Sequence, residues 1–212
     1  MIQLKNLAAA VALVGVSFAG CVANAEGLGG RFYVEVAGVT SSPDNATAKF
    51  SDQNLDATWD LSRMYGASVQ IGGDFGHFRT DLKVRGLHGS VDSITGTPGG
   101  EPTKADTLLA VATINAYIDV YDIELGESVT LTPYFGAGTG YAHGYMRATL
   151  PNDGLLQNEQ ANDGGRAYSM MVGALIEFAD TVGLTAEYEH LDTNLTGFSD
   201  ANNYSVGLRL TF

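Results

Sequence analysis

Along most of this chain, apolar and polar side chains alternate one for one, the period of a β-strand with two different faces. From Arg31 to Val39, Phe32, Val34 and Val36 fall on one face and Arg31, Tyr33 and Glu35 on the other. From Thr58 to Asp74, Tyr65, Ala67, Val69 and Ile71 oppose Gly66, Ser68, Gln70 and Asp74. From Phe78 to Gly89, Phe78, Leu82 and Val84 alternate with Arg79, Asp81, Lys83 and Arg85. The longest stretch, Ala105 to Tyr121, sets Leu108, Ala110, Ala112, Ile114, Ala116, Ile118 and Val120 against Thr107, Thr113, Asn115, Tyr117 and Asp119. Four more segments follow: Ser128 to Met146, Arg166 to Phe178, Val182 to Leu191, and the terminal run Tyr204 to Phe212.

Between these segments the connections alternate in length. Gly76 with His77, Asp122 to Glu127 and Ala179 to Thr181 read as short turns. Thr40 to Ala57, Val91 to Lys104, Arg147 to Gly165 and Thr193 to Asn202 read as long loops rich in Gly, Asn, Asp, Ser and Thr. Most segments reach the ~9–11 residues that a tilted membrane strand needs. Short turns at one end and long loops at the other are the pattern of a membrane barrel. The expectation is an all-β chain: an eight-stranded antiparallel up-and-down transmembrane β-barrel. A water-soluble barrel would show the same alternation with its apolar face inward. Strand length, tyrosines near the strand ends and the terminal pattern favour the membrane form.

The N-terminus reads differently. Lys5 precedes an apolar run from Leu7 to Gly20, and small residues stand at Ala23 and Ala25. This is the layout of a secretory signal peptide cut between Ala25 and Glu26. It divides the chain into a leader, residues 1–25, and a barrel domain, residues 26–212. The run is too short for a membrane-spanning helix, and no longer one follows it. Phe18 to Cys21 also resembles a lipoprotein box, although such boxes usually begin with Leu. Cys21 is the chain's one cysteine, so the expected mature protein has neither a disulfide framework nor a thiolate metal cluster.

Composition sharpens this picture in two ways. The chain holds 27 Gly against 5 Pro, and 10 Tyr with 9 Phe against a single Trp, a mix suited to many strands and tight turns. Its net charge of −13 argues against a nucleic-acid partner. Eight strands enclose a lumen only wide enough for side chains, so charges on the inner face must neutralise one another. Strand order suggests two groups. Glu187 or Glu189 would meet Arg209 and Glu35, and Asp74, Arg79, Lys83 and Asp119 would form the second. The glycines at 136, 138 and 140 are expected to make room for bulky neighbours such as Tyr117.

Three stretches carry a family resemblance. The terminal run, with Tyr204, Val206, Leu208, Leu210 and Phe212 at every second position, resembles the closing strand of bacterial outer-membrane proteins. The run Thr132 to Tyr141 (TPYFGAGTGY), and Val172 to Phe178 leading into Leu184 to Tyr188, are similar to the small OmpA-like and opacity-type barrels. The resemblance implies a place in the bacterial outer membrane, among lipid and lipopolysaccharide. It implies that the barrel-assembly machinery reads the terminal strand as its signal. It also implies that individual function resides in the loops, through adhesion, envelope integrity or a surface-antigen role toward an extracellular partner.

Candidate chemistry is sparse. The four histidines, His77, His88, His143 and His190, lack metal-ligand spacing. No metal or cofactor is expected, and no Gly-rich run stands between a strand and a helix. His88 and Ser90, with Glu101 downstream, resemble the His-x-Ser and Glu arrangement of outer-membrane lipid A deacylases, though that motif sits late in the family's chains. Acidic residues of the long loops, Asp44, Asp52, Asp56, Asp153 and Glu159, could meet lipopolysaccharide through divalent cations or simply remain solvated. The sequence therefore favours a non-enzymatic structural or interaction barrel. A lipid A deacylase-type hydrolase and a narrow channel are the alternatives.

Overall fold

The structure is a computed structural model and describes residues 30–43, 46–50, 55–95, 104–152, 155–178, 181–195 and 198–212. The proposed leader with its Ala25–Glu26 junction, and Glu101, lie outside these residues. Among the described residues eleven strands follow one another: β1 (Arg31–Pro43), β2 (Ala46–Phe50), β3 (Leu55–Leu61), β4 (Met64–Asp74), β5 (Phe78–Thr95), β6 (Lys104–Asp119), β7 (Ile123–Gly126), β8 (Val129–Asn152), β9 (Leu155–Phe178), β10 (Val182–Leu195) and β11 (Phe198–Thr211). Eight of them close a ring, β1–β4–β5–β6–β8–β9–β10–β11, in which every neighbour is antiparallel and β11 returns to β1. The seam is sealed to the last residue. The Phe32 N–H donates to the Phe212 carbonyl at 3.2 Å, and the Phe212 N–H donates back at 2.8 Å. A closed ring leaves no unpaired backbone inside the hydrocarbon layer, which is what makes a sheet compatible with a membrane.

The first short turn lies where the sequence puts it, whereas the expected turn from Asp122 to Glu127 contains a strand, β7, and residues 179–180 of the third lie outside the described residues. Between β4 and β5, Gly76 adopts a positive φ of 88° and its N–H donates to the Asp74 carboxylate at 2.9 Å. At the next short connection, β7 forms a small hairpin with β8.

The long loops are the main correction. β8 and β9 stay paired without a register shift from Val129 opposite Phe178 to Asn152 opposite Leu155. Strand thus covers 147–152 and 155–165, which the sequence suggests are loop. β10 and β11 continue to Leu195 opposite Phe198. The expected first loop contains the hairpin of β2 and β3, and the strand expected from Thr58 to Asp74 is broken at Ser62 and Arg63. Strand pairing therefore continues well beyond the segments whose outer face is apolar.

Side-chain direction follows the sequence parity throughout the turn-side part of the ring. Val36, Val69, Ile114, Phe135, Val172 and Leu208 point outward, with Ile114 64% and Met170 72% exposed. Glu35, Gln70, Asp81, Lys83, Asn115, Glu187 and Arg209 point inward and are buried. Toward the long hairpins this polarity reverses. On β10 the inner face reads Thr185, Glu187, Glu189 and then Leu191, Thr193, Leu195. Its outer face reads Val182, Leu184, Ala186, Tyr188 and then His190, Asp192, Asn194. On β5 the inner face passes from Arg79, Asp81, Lys83 and Arg85 to Leu87. Leu87, Leu109, Val111, Met64, Met146, Leu191, Leu195 and Phe198 belong to one apolar cluster filling the hairpin-side interior. Outside the lipid the wall meets water, so the hydrophobic effect drives apolar side chains inward in the ordinary way.

Candidate functional site

Two places carry the chemistry of this molecule, the ionic section of the lumen and the outer wall where the polarity switches. Among the described residues four ion pairs lie within the lumen. Arg79 binds Asp119 of the adjacent strand through Nε at 2.8 Å and a terminal nitrogen at 2.7 Å. Arg209 binds Glu35 across the β1–β11 seam at 2.8 Å. Lys83 reaches Glu187 at 2.6 Å, and Arg85 pairs with both oxygens of Glu189. These last two pairs join β5 to β10, four strands away around an eight-strand ring. They therefore cross the lumen along a diameter.

The carboxylates hold further partners. Glu35 accepts hydrogen bonds from Gln70 at 3.0 Å and Thr185 at 2.8 Å. The Tyr134 hydroxyl donates to Glu187 at 3.1 Å. Asp81 accepts from Tyr33 at 2.9 Å and Asn115 at 2.7 Å, held by neutral donors rather than by an ion pair. Aromatic faces cover the guanidinium groups. Arg79 lies over Tyr117 and Tyr134, and Arg209 lies 4.1 Å from the centre of the Tyr33 ring. Gly136 lies opposite Tyr117 and Gly173 opposite Tyr134. A Cβ at either glycine would press into the facing ring, at 3.0 Å or less for Gly136 and 2.6 Å for Gly173. The small residues thus give the large ones their seats.

The pairing differs from neighbour order in one respect. Arg209 meets Glu35, and Arg79 meets Asp119, as strand adjacency suggests. Lys83, however, joins Glu187 instead of the Asp74–Asp119 group, and Glu189 joins Arg85 instead of Arg209. Asp74 lies at the turn-side mouth, 3.7 Å from Arg31, which also approaches Glu177 at 3.5 Å. Arg85 and the apolar hairpin-side cluster are interior features that strand order did not single out. Their signal was present, since Arg85 and Leu87 continue the inward parity of Arg79.

On the outer wall, tyrosines mark the switch. Tyr65, Tyr141, Tyr168 and Tyr204 are exposed there, and the Tyr188 and Tyr204 rings lie 5.3 Å apart. The Tyr188 hydroxyl donates to Asn202 at 2.8 Å, and His190 approaches the same amide oxygen at 3.1 Å. At the opposite edge Phe32 lies near Phe212 and Phe75 near Phe78. Two aromatic belts around an apolar band are the expected anchors at the two membrane surfaces. Tyr33, by contrast, is inside the lumen and fully buried. In the terminal strand, Tyr204, Val206, Leu208, Leu210 and Phe212 all lie on the outer wall.

His88 and Ser90 also face outward, on β5 beyond the band. The Ser90 hydroxyl lies 2.9 Å from that of Ser62, and the Ser90 N–H donates to the Ser62 oxygen at 3.2 Å. Ser90 thus helps to fasten the β3–β4 link to β5. Among the described residues no group of three or more His, Cys, Asp or Glu is arranged to hold a metal ion.

This architecture has known relatives. The chain matches the family model described as outer membrane protein beta-barrel domain over residues 8–212. Among solved structures it is similar to a major outer membrane protein of Thermus thermophilus, at 11% identity and a TM-score of 0.58, covering 86% of this chain and 99% of that one. It is also similar to the outer membrane protein OprG of Pseudomonas aeruginosa, at 13% identity and a TM-score of 0.52, covering 86% and 96%. No curated protein sequence matches it significantly. With a ring that closes on its last residue, a greasy outer band and a family match spanning nearly its whole length, this chain belongs to the outer membrane protein β-barrel domain family.

Proposed function

We propose that the protein works without catalysis, as a structural and interaction barrel whose projecting hairpins are its active surface. The supporting observation is the filled lumen. Two ion pairs span its diameter, and an apolar cluster occupies the section beyond them. Opening that interior would strand charges in a low-dielectric space, at a cost of about 3–5 kcal/mol for each broken pair. Transport along the axis is therefore disfavoured, and the outer wall and hairpins remain for contact with lipid, lipopolysaccharide and an extracellular partner.

In this reading residues 1–25 export the chain and are removed after Ala25. The barrel-assembly machinery then takes Tyr204, Val206, Leu208, Leu210 and Phe212 as its recognition strand. Adhesion, envelope integrity and surface antigenicity are the roles such a surface serves.

The test pairs two measurements on one preparation. Refolded protein in planar bilayers should give no steady ohmic conductance, and a stable open channel would overturn the filled-lumen reading. Replacing residues 147–164 with a tight turn should leave heat-modifiable gel migration intact while abolishing binding of the intact protein to its target surface. Unchanged binding would remove this hairpin from the working surface.

A further inference from the structure

We propose that the outer wall carries a binding site for a lipid headgroup phosphate, formed by Tyr141, His143 and Arg166 around Gly164. The inference rests on the reading above in one respect, that the tyrosine belt marks the hairpin-side edge of the lipid band. At that level β8 and β9 run side by side, with Tyr141 opposite Arg166 and His143 opposite Gly164. All four residues are exposed on the outer wall. Directly opposed residues hold their side chains within about 5 Å of one another, so Tyr141 and Arg166 share one patch.

Gly164, lacking a Cβ, seats the end of the Tyr141 side chain at the centre of the patch. The Tyr141 hydroxyl leans over it, and His143 Nδ1 lies 3.2 Å from the point where a Cβ would sit. One oxygen placed beyond the Tyr141 hydroxyl, on the side of His143 Nδ1, would therefore meet a phenol and an imidazole together. Arg166 sits two residues along the same face, with five N–H donors in the planar fork that suits phosphate. Among the described residues no carboxylate pairs with its guanidinium. Nearby acceptors are otherwise engaged. The Asp163 carboxylate accepts the Gly164 N–H at 2.8 Å, and the Asn194 amide oxygen accepts the Arg166 N–H at 2.6 Å. Together these contacts hold the backbone of this stretch of β9 in place beneath the patch.

Position decides the ligand. Two residues toward the membrane, Tyr168 and Met170 face the apolar band. A group bound at Gly164 with an acyl tail running down that wall is a phosphorylated amphiphile of the outer leaflet. A soluble phosphate would use the same donors without the tail.

Native mass spectrometry of the detergent-extracted protein tests this, with bisphosphorylated lipid A as the probe. Wild-type protein should retain it. Arg166→Gln and Gly164→Val should each lower retention roughly tenfold, the second by pushing the Tyr141 hydroxyl off its seat beside His143. Both changes lie on the outer wall, and heat-modifiable migration verifies the fold. Dephosphorylated lipid A should be retained no better than by the variants. Equal retention by wild type and both variants, or of both lipids, would overturn the site. Displacement by millimolar inorganic phosphate as efficient as by the lipid itself would overturn the lipid assignment. Depth quenching of a label at position 141 separates the two readings. A label far from the bilayer edge refutes the membrane placement, whereas an edge position with unaltered retention refutes the site alone.

Discussion

Within a single strand, β10, the turn-side half and the hairpin-side half obey opposite rules. From Val182 to Tyr188 the outer positions are apolar or aromatic and the inner ones carry Glu187. From His190 to Leu195 the outer positions are His190, Asp192 and Asn194, and the inner ones include Leu191 and Leu195. The backbone, parity and ring are the same; only the solvent outside has changed. Where lipid surrounds the wall, an outward charge is costly and polar groups retreat inward, where they must pair. Where water surrounds it, the core becomes apolar again. The lesson is that the solvent around a closed ring, not the strand itself, decides what its interior contains.

Breaking the ionic section should have the largest effect. Arg209→Met leaves Glu35 buried without its cation and should cost about 3–5 kcal/mol, read from urea unfolding in bilayers. The double variant with Glu35→Leu should recover most of that loss, and a single-variant loss as small as that of a surface change would show that the pair carries little. Next comes the lipid wall. Ile114→Arg places a charge in the apolar band and should destabilise by roughly 2–4 kcal/mol in a bilayer. A smaller effect is expected in the hairpin-side interior, where Leu109→Ala should cost about 2–3 kcal/mol through the cavity it leaves. Smallest of all is Asp106→Arg, on the same strand and outer face as Ile114 but beyond the band, which should stay within about 0.5 kcal/mol. Equal penalties at positions 114 and 106 would abolish the distinction between the two halves.

The barrel was legible because period-two alternation survives in every membrane segment. The inward set Arg79, Asp81, Lys83 and Arg85 could be read off parity alone. The hairpins were not legible, for the same physical reason that makes them distinct. The continuous apolar outward face ends at Tyr65 on β4 and at Tyr188 on β10, since beyond them that face meets water. The polar residues of 147–152 and 155–165 consequently look like loop although they are paired strand. The same inversion hides the interior cluster, because Leu87 and Leu191 occupy positions that the membrane rule reserves for polar groups. Among the ion pairs, Glu35 with Arg209 follows from the adjacency of β1 and β11. Lys83 with Glu187 does not, because a bond across the diameter depends on barrel width and side-chain length, which strand order does not encode.

The most direct test is a depth scan along the outer face of β10. Single cysteines at positions 182, 184, 186, 188, 190, 192 and 194 of the chain from Glu26 onward, which lacks Cys21, would carry a fluorophore in protein reconstituted into bilayers. Quenchers fixed to the acyl chains should extinguish labels at 184 and 186, aqueous iodide those at 192 and 194, with the crossover between 188 and 190. Acyl-chain quenching at 192 and 194, or iodide access at 184 and 186, would contradict the account.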